Sequence, residues 1–198
     1  MRYLAQFHKQ TAVLQKDFSY KPLLEEMKKR VSVQSNYLEM NRTKIEKEVY
    51  ISPFGFVFLE DTALLNESLN RIKRLIAQLE KEWERKKEIR FVLSEHVRFY
   101  VLPAYVLHQK VKQNKLTSIK EQIIEYDEHF SLTKDERLLF SLYLLNVYPF
   151  LTLLFQYGQK NKKTEFQMIE VWEKEKKRYH DYKHIAKHFS SPFNTDTI

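Results

Sequence analysis

The sequence predicts an all-α protein that opens with a winged helix-turn-helix carrying a small β-hairpin and continues as a helical bundle. Three observations predict it. The 198 residues include only 2 Gly and 5 Pro, and tight turns consume both, so long helices are expected. Apolar residues recur at three- and four-residue spacing over most of the chain. Between Pro22 and Glu60 the pattern reads helix, turn, helix, hairpin, an order that sets one helix into the major groove of DNA.

Taken in order, Leu4, Phe7, Val13 and Leu14 give a loose helical stripe over residues 2–15. A second helix starts at Pro22, a residue suited to a first helical turn, and buries Leu23, Leu24, Met27 and Val31. Ser32-Val33-Gln34 reads as the turn, with Ser35 as the N-cap of a third helix that points Tyr37, Leu38 and Ile45 inward. Tyr50-Ile51, Pro53-Phe54-Gly55 and Phe56 to Leu59 read as the hairpin, with one of the two glycines at its turn. Asp61 and Thr62 then cap a long amphipathic helix bearing Leu64, Leu65, Leu69, Ile72, Leu75, Ile76 and Leu79, up to Trp83. A further helix is expected over residues 91–111, kinked at Pro103, and a short one over residues 119–126. Thr133 with Glu136 three residues later forms a capping box. The last helix spans residues 165–188, with Phe166, Ile169, Trp172 and Tyr179 inward. The domains expected are residues 1–61, the DNA-reading unit; residues 62–189, a bundle that dimerises or senses a signal; and residues 190–198, a flexible tail.

Leu138 to Tyr157 carries no charge and is long enough to span a bilayer. Asn146, Pro149 and the absence of a Lys/Arg asymmetry across it favour a buried core helix instead. The absence of Cys excludes disulfides and thiolate chemistry. The polar N-terminus, without an export signal, points to the cytoplasm. No Gly-rich phosphate loop is present, and no cofactor is expected. The net charge of +8 suits a nucleic-acid partner but is spread along the chain.

Within residues 18–60 the runs Phe18-Ser19-Tyr20, Leu24-Glu25-Glu26-Met27, Val31-Ser32-Val33 and Ser35-Asn36-Tyr37-Leu38 resemble the second helix-turn-helix of the Mga family, the M-protein trans-acting positive regulators of Gram-positive bacteria. Phe130 to Thr133 leading into Leu138 to Leu142 is similar to a late helix of that family's phosphotransferase-system regulation domain. The resemblance implies a dimeric transcription regulator of double-stranded DNA, with a phosphorylated His in the bundle, for which His96 and His129 are the candidates.

The expected DNA contacts follow from the helix order. Gln34, Ser35 and Asn36 stand at the start of the reading helix, where Asn or Gln pairs with adenine. Glu39 shares its outward face. Arg42, Lys44, Lys28, Lys29 and Arg30 would hold phosphates. Two other classes stay open. The bundle could bind a protein partner without touching DNA. Alternatively, Arg90 to His96 and Arg178 to His184 share an Arg-x5-His spacing that resembles the active motif of HEPN ribonucleases, in which His transfers protons and Arg steadies phosphate charge. His180, His184 and His188 recur every four residues, a spacing that reads as a solvated stripe rather than a metal site, because three in line cannot converge on one ion.

Overall fold

Leu24, Val31, Leu38 and Ile45 stand seven residues apart, and all four are buried. Seven residues are close to two helical turns, so one uninterrupted helix can lay all four along a single line. The computed structural model, which describes residues 1–94, 99–113, 119–159 and 164–190, shows that helix. Its elements are α1 (Arg2–Thr11), β1 (Val13–Lys16), α2 (Lys21–Glu46), α3 (Pro53–Arg85), β2 (Glu88–Leu93), β3 (Tyr100–Val101), α4 (Pro103–Gln113), α5 (Ile119–His129), α6 (Lys134–Leu144), α7 (Tyr148–Gly158) and α8 (Glu165–Ser190). The protein is thus mostly helical, with one small antiparallel sheet.

The helix-turn-helix is not there. Residues 32–34 lie inside α2, where a turn would break the phase that keeps the four apolar residues together. The hairpin is not there either. Residues 53–59 form the first two turns of α3. Ser52 is its N-cap, accepting a hydrogen bond from the Gly55 amide at 3.1 Å, and Pro53 holds the first helical position. The absence of a side chain at Gly55 lets this turn approach the end of α2, since a Cβ there would lie 3.1 Å from Ile45 Cγ2. Asp61 and Thr62 cap nothing; α3 runs through them unbroken. A Gln34→Pro variant is expected to lose about 3 kcal/mol or more, because proline removes a helical hydrogen bond and clashes with the preceding turn. A thermal melt matching that of the parent protein would mean that residues 32–34 form a turn after all.

α3 is about 50 Å long and forms the axis of the molecule. α2 packs antiparallel along it, and α6 and α8 pack on its remaining apolar faces. α6 is buried on most sides, against α3, α4 and α8. α7 leans on α8 and α2, and α1 covers α5. The sheet has the order β1-β2-β3, with Val13 opposite Phe91 and Val92 opposite Val101. It closes over an aromatic group in which Phe18 lies 5.2 Å from Phe91 and Tyr20 lies 5.7 Å from Trp83, ring centre to ring centre. Residues 91–93 are therefore strand rather than helix, and Pro103 starts α4 instead of kinking it.

By composition Lys134–Gly158 is long and apolar enough to cross a membrane. It folds instead as α6 and α7, separated by a break at residues 145–147. Each helix is about 16 Å long, roughly half of a bilayer core, and most of the run is buried inside the protein. The capping box at Thr133 is present, with the Glu136 carboxylate accepting from the Thr133 amide at 2.8 Å. α5 and α8 lie where the sequence places them, although Phe166 points out to solvent.

Candidate functional site

The residues expected to read DNA lie along α2 and do not form a reading head. Gln34, Ser35 and Asn36 are in mid-helix, with their backbone groups engaged in helical bonds and no free N-terminus to present. Most of the expected phosphate ligands already hold carboxylates. Lys28 bridges Glu25 at 3.1 Å and Glu80 at 2.9 Å. Arg30 pairs with Glu26 at 2.7 Å. Arg42 pairs with Glu46 at 2.9 Å and with the outward-facing Glu39 at 3.8 Å. Lys29 and Lys44 are exposed, and two isolated lysines make no phosphate track.

The described histidines do not form a centre. His180, His184 and His188 are exposed along α8. Among the described residues no three His, Asp or Glu side chains are placed to hold a metal ion. His129 bonds back to the Glu125 carbonyl at 2.9 Å within α5. His96 lies outside the described residues, and Arg90 is engaged elsewhere.

Arg90 belongs to a polar network at the start of α6. It grips Glu136 through two nitrogens, one bond being 2.8 Å, and donates to the Ser131 carbonyl at 2.7 Å. Its guanidinium lies 4.1 Å above the Phe130 ring. Asp135 accepts from Trp83 Nε1 at 3.0 Å, from Thr133 Oγ1 at 2.6 Å and from Lys86. Burial pushes the Asp135 carboxyl up, but Lys86, Thr133 and Trp83 together hold it below the usual carboxylate range. Beside them the Nδ1 of buried His8 meets the Tyr126 hydroxyl at 2.5 Å. Burial and the nearby Arg90 charge lower His8 to about 4, so it is neutral at pH 7. Nearly every member of this network is satisfied internally, so it fixes the N-terminus of α6 rather than reaching for a ligand.

What it fixes is one wall of an open groove of about 560 Å³ between α3, α6 and α8. Leu132, Leu138 and Phe189, all buried, form the floor. Lys134 and Arg137 project from α6, one helical turn apart. Lys81 and Arg85 project from α3 at i and i+4 and therefore share a face with Gln78 and Glu82. Four cations against the one carboxylate of Glu82 give the lining a net charge of +3. Lys134 pairs with Glu82 at 2.6 Å, and Arg137 holds Asp127 at 2.6 Å. Lys81 and Arg85 make no ion pair among the described residues and stand exposed at the rim. The groove has the volume of a small-molecule site and the usual plan of an apolar floor with a few convergent polar groups. None of its residues carries a motif; the charged run 80–90 shows only that α3 has a wet face at its end.

No protein-family model matches the chain, and no curated protein matches its sequence. Among solved structures it resembles an aminoglycoside phosphotransferase from Alicyclobacillus acidocaldarius, with a TM-score of 0.59 and 12% identity. The match covers 95% of this chain and 63% of that protein, so the chain spans a little under two thirds of its neighbour's length. At this identity the likeness is one of fold alone. Together with the uninterrupted α2, it overturns the expectation of a DNA-binding transcription regulator: the element meant to enter the groove does not exist, and the architecture is shared with a phosphotransferase.

Proposed function

We propose that the protein binds a phosphorylated, partly apolar small molecule of the nucleotide class in the α3–α6–α8 groove. The observation that carries this is the placement of Lys81 and Arg85, two cations with no ion pair among the described residues, over the floor of Leu132, Leu138 and Phe189. Phosphate oxygens satisfy the cations, and the apolar part of the ligand covers the floor. The kinship of fold with a phosphotransferase supports a phosphate-bearing ligand. The sign of the charge selects which one: an amino sugar is itself cationic, and a lining of net +3 repels it. Side chains hold the phosphate here, since two glycines cannot build a phosphate-cradling loop. The proposal is one of binding. Kinase chemistry uses an Asp two residues after a His, and a metal-holding Asp before Phe-Gly. None of the seven His is followed at that spacing by Asp, and Phe54-Gly55 follows Pro53.

A thermal-shift titration with ATP at low salt is the test. Saturation at about a hundred times Kd adds about 2.7 kcal/mol, which raises the melting temperature by about 5 to 10 °C. The Lys81→Ala, Arg85→Ala double variant weakens binding about tenfold or more while melting within about 2 °C of the parent without ligand, because both side chains are exposed. An ATP response that is missing in the parent, or equal in the double variant, refutes the reading.

A further inference from the structure

α4, α6 and α8 enclose a second, smaller cleft that shares no residue with the groove. His108 and Lys112 enter it from α4, Tyr143 from α6, and Glu175, Arg178, Tyr179 and Tyr182 from α8. The enclosed space is about 40 Å³, close to the volume of one water molecule. It therefore admits a single small group, with anything larger at the open mouth. The His108 ring stacks on Tyr143 with centroids 5.4 Å apart and planes 22° from parallel. That contact fixes the imidazole and turns its Nδ1 to a buried position without a hydrogen-bond partner. The Tyr179 hydroxyl faces Ser68 of α3 rather than the cleft. A buried, unmet imidazole nitrogen beside two cations is unusual in a folded protein and points to a ligand that would satisfy it.

The chemistry of the lining selects that ligand. Arg178 and Lys112 are cations, and the remaining polar groups include the Tyr143 and Tyr182 hydroxyls. Burial raises Tyr143 to about 12 and also raises Tyr182, so both keep their protons and can donate at pH 7. Glu175 is the counterweight; it pairs with Arg178, whose guanidinium also lies 5.9 Å from the Tyr182 ring. A guanidinium carries five N–H donors, so it can keep Glu175 and still serve an incoming oxyanion. Two cations against one carboxylate leave the cleft positive.

We propose that this cleft binds one tetrahedral oxyanion, inorganic phosphate or the phosphate end of a monoester, with one oxygen seated against His108 and the others on Arg178 and Lys112. Binding is coupled to the charge of His108. Burial first, then Lys112 and Arg178, depress the ring to about 4. A bound anion offsets both cations, so the titration midpoint of His108 rises, and by linkage the anion binds more tightly as His108 gains its proton. The charged and titratable groups around the ring are Lys112 on its own helix, Tyr143 on α6, and Glu175, Arg178, Tyr179 and Tyr182 on α8. α7 contributes the uncharged Pro149 and Phe150. Arg30 of α2 and Tyr105 of α4 act one step removed, through Tyr143.

Imidazole NMR of the full chain, titrated with inorganic phosphate, tests this, with the His108→Gln variant assigning the signal. The His108 resonances are expected to move saturably, and their midpoint to rise by about one pH unit or more. Lys112→Ala and Arg178→Gln each weaken the response about tenfold. Lys112 is exposed, so its loss cannot act through misfolding, and Arg178→Lys restores part of what Arg178→Gln removes. The Lys81→Ala, Arg85→Ala double variant leaves the response unchanged, which separates this cleft from the groove. Parent protein whose His108 signals ignore phosphate overturns the proposal. So does a response that survives both the Lys112 and Arg178 variants, or one that disappears in the groove variant.

Discussion

Asp135→Ala lowers the melting temperature by about 6 to 20 °C. The carboxylate is 3% exposed and ties the end of α3 to the start of α6. It receives the Trp83 indole and the Lys86 ammonium from the end of α3, and the Thr133 hydroxyl that opens α6. Removing one partner of a buried ion pair costs about 3 to 5 kcal/mol, because the other is left charged and unpaired. At this chain length each kcal/mol is worth about 2 to 4 °C. Asp135→Asn keeps the shape and an acceptor for the indole but loses the charge that Lys86 faces, so it falls between parent and alanine. The pH dependence has a definite sign. The folded carboxyl titrates below its unfolded value of about 3.9, so its contribution is fully present above that value and is lost as pH falls through the folded one. Acid unfolding followed by circular dichroism should begin at higher pH in the parent than its residual stability alone implies, and Asp135→Asn should flatten the curve between about pH 5 and 2. An alanine variant that melts within 2 °C of the parent would leave the network without energetic weight.

The arrangement occurs twice. The chain has two tryptophans, and each donates its indole N–H to a buried Asp on another helix. Trp83 of α3 reaches Asp135 of α6 at 3.0 Å, and Trp172 of α8 reaches Asp61 of α3 at 2.8 Å. In both cases a Lys that follows the Trp by three or four residues returns to the same Asp: Lys86 to Asp135, and Lys176 to Asp61 at 2.8 Å. α3 is thus pinned to α6 near its C-terminal end and to α8 in its N-terminal third. Both pins hold the helices that wall the groove, so the spacing of Lys81 and Arg85 from Lys134 and Arg137 is set by contacts outside the groove itself.

The composition of the chain made the helical class legible, since two glycines leave few places to turn. The apolar spacing also marked α5 and the buried face of α8, and Thr133 with Glu136 marked the start of α6. The errors have physical causes. Leu24, Val31, Leu38 and Ile45 keep a strict seven-residue spacing through residues 32–34, and the 26-residue α2 contains no Gly and no Pro after its start. Splitting it at Ser32 rested on the polar Ser-x-Gln-Ser run alone, and polar residues on the exposed side of a helix carry no such signal. Ser52-Pro53 is an N-cap followed by a first-turn proline, a stronger sign than the aromatic run that suggested a hairpin. β2 was hidden because it is only six residues, Glu88 to Leu93, too short for alternation to stand out from a buried helix. The groove was the least legible. Its cations sit on α3 and α6, some fifty residues apart in the chain, over a floor completed by Phe189 from α8. No local pattern records that these three surfaces meet, and the indole to carboxylate bonds that set their spacing join residues 52 and 111 positions apart.

Trp172→Ala is expected to destabilise the protein by about 4 kcal/mol or more. The side chain is fully buried and is the hub of an aromatic cluster, with ring centres 4.8 Å from Phe150, 5.6 Å from Phe54 and 6.1 Å from Phe58. Truncating a buried Trp costs about 3 to 5 kcal/mol in lost transfer free energy and residual cavity. The lost indole N–H adds to this by leaving Asp61 with Lys176 alone. Trp172→Phe separates the two contributions: it retains most of the ring contacts and removes only the donor, so its expected cost is about 1 to 3 kcal/mol. Phe54 and Phe58 lie in the first turns of α3, the segment read from sequence as a hairpin, and their packing on Trp172 is what anchors that end of the helix. The alanine variant should therefore also loosen the start of α3. Hydrogen exchange of the amides at residues 56–62 should then quicken more than that of α6, where Trp83 and Asp135 remain in place. Urea unfolding of the two variants gives the energies directly. Equal losses in both would place the stabilisation in the indole bond rather than in the aromatic packing, whereas a loss under 1 kcal/mol in the alanine variant would show that the cluster collapses around the missing ring and that α3 is held from elsewhere.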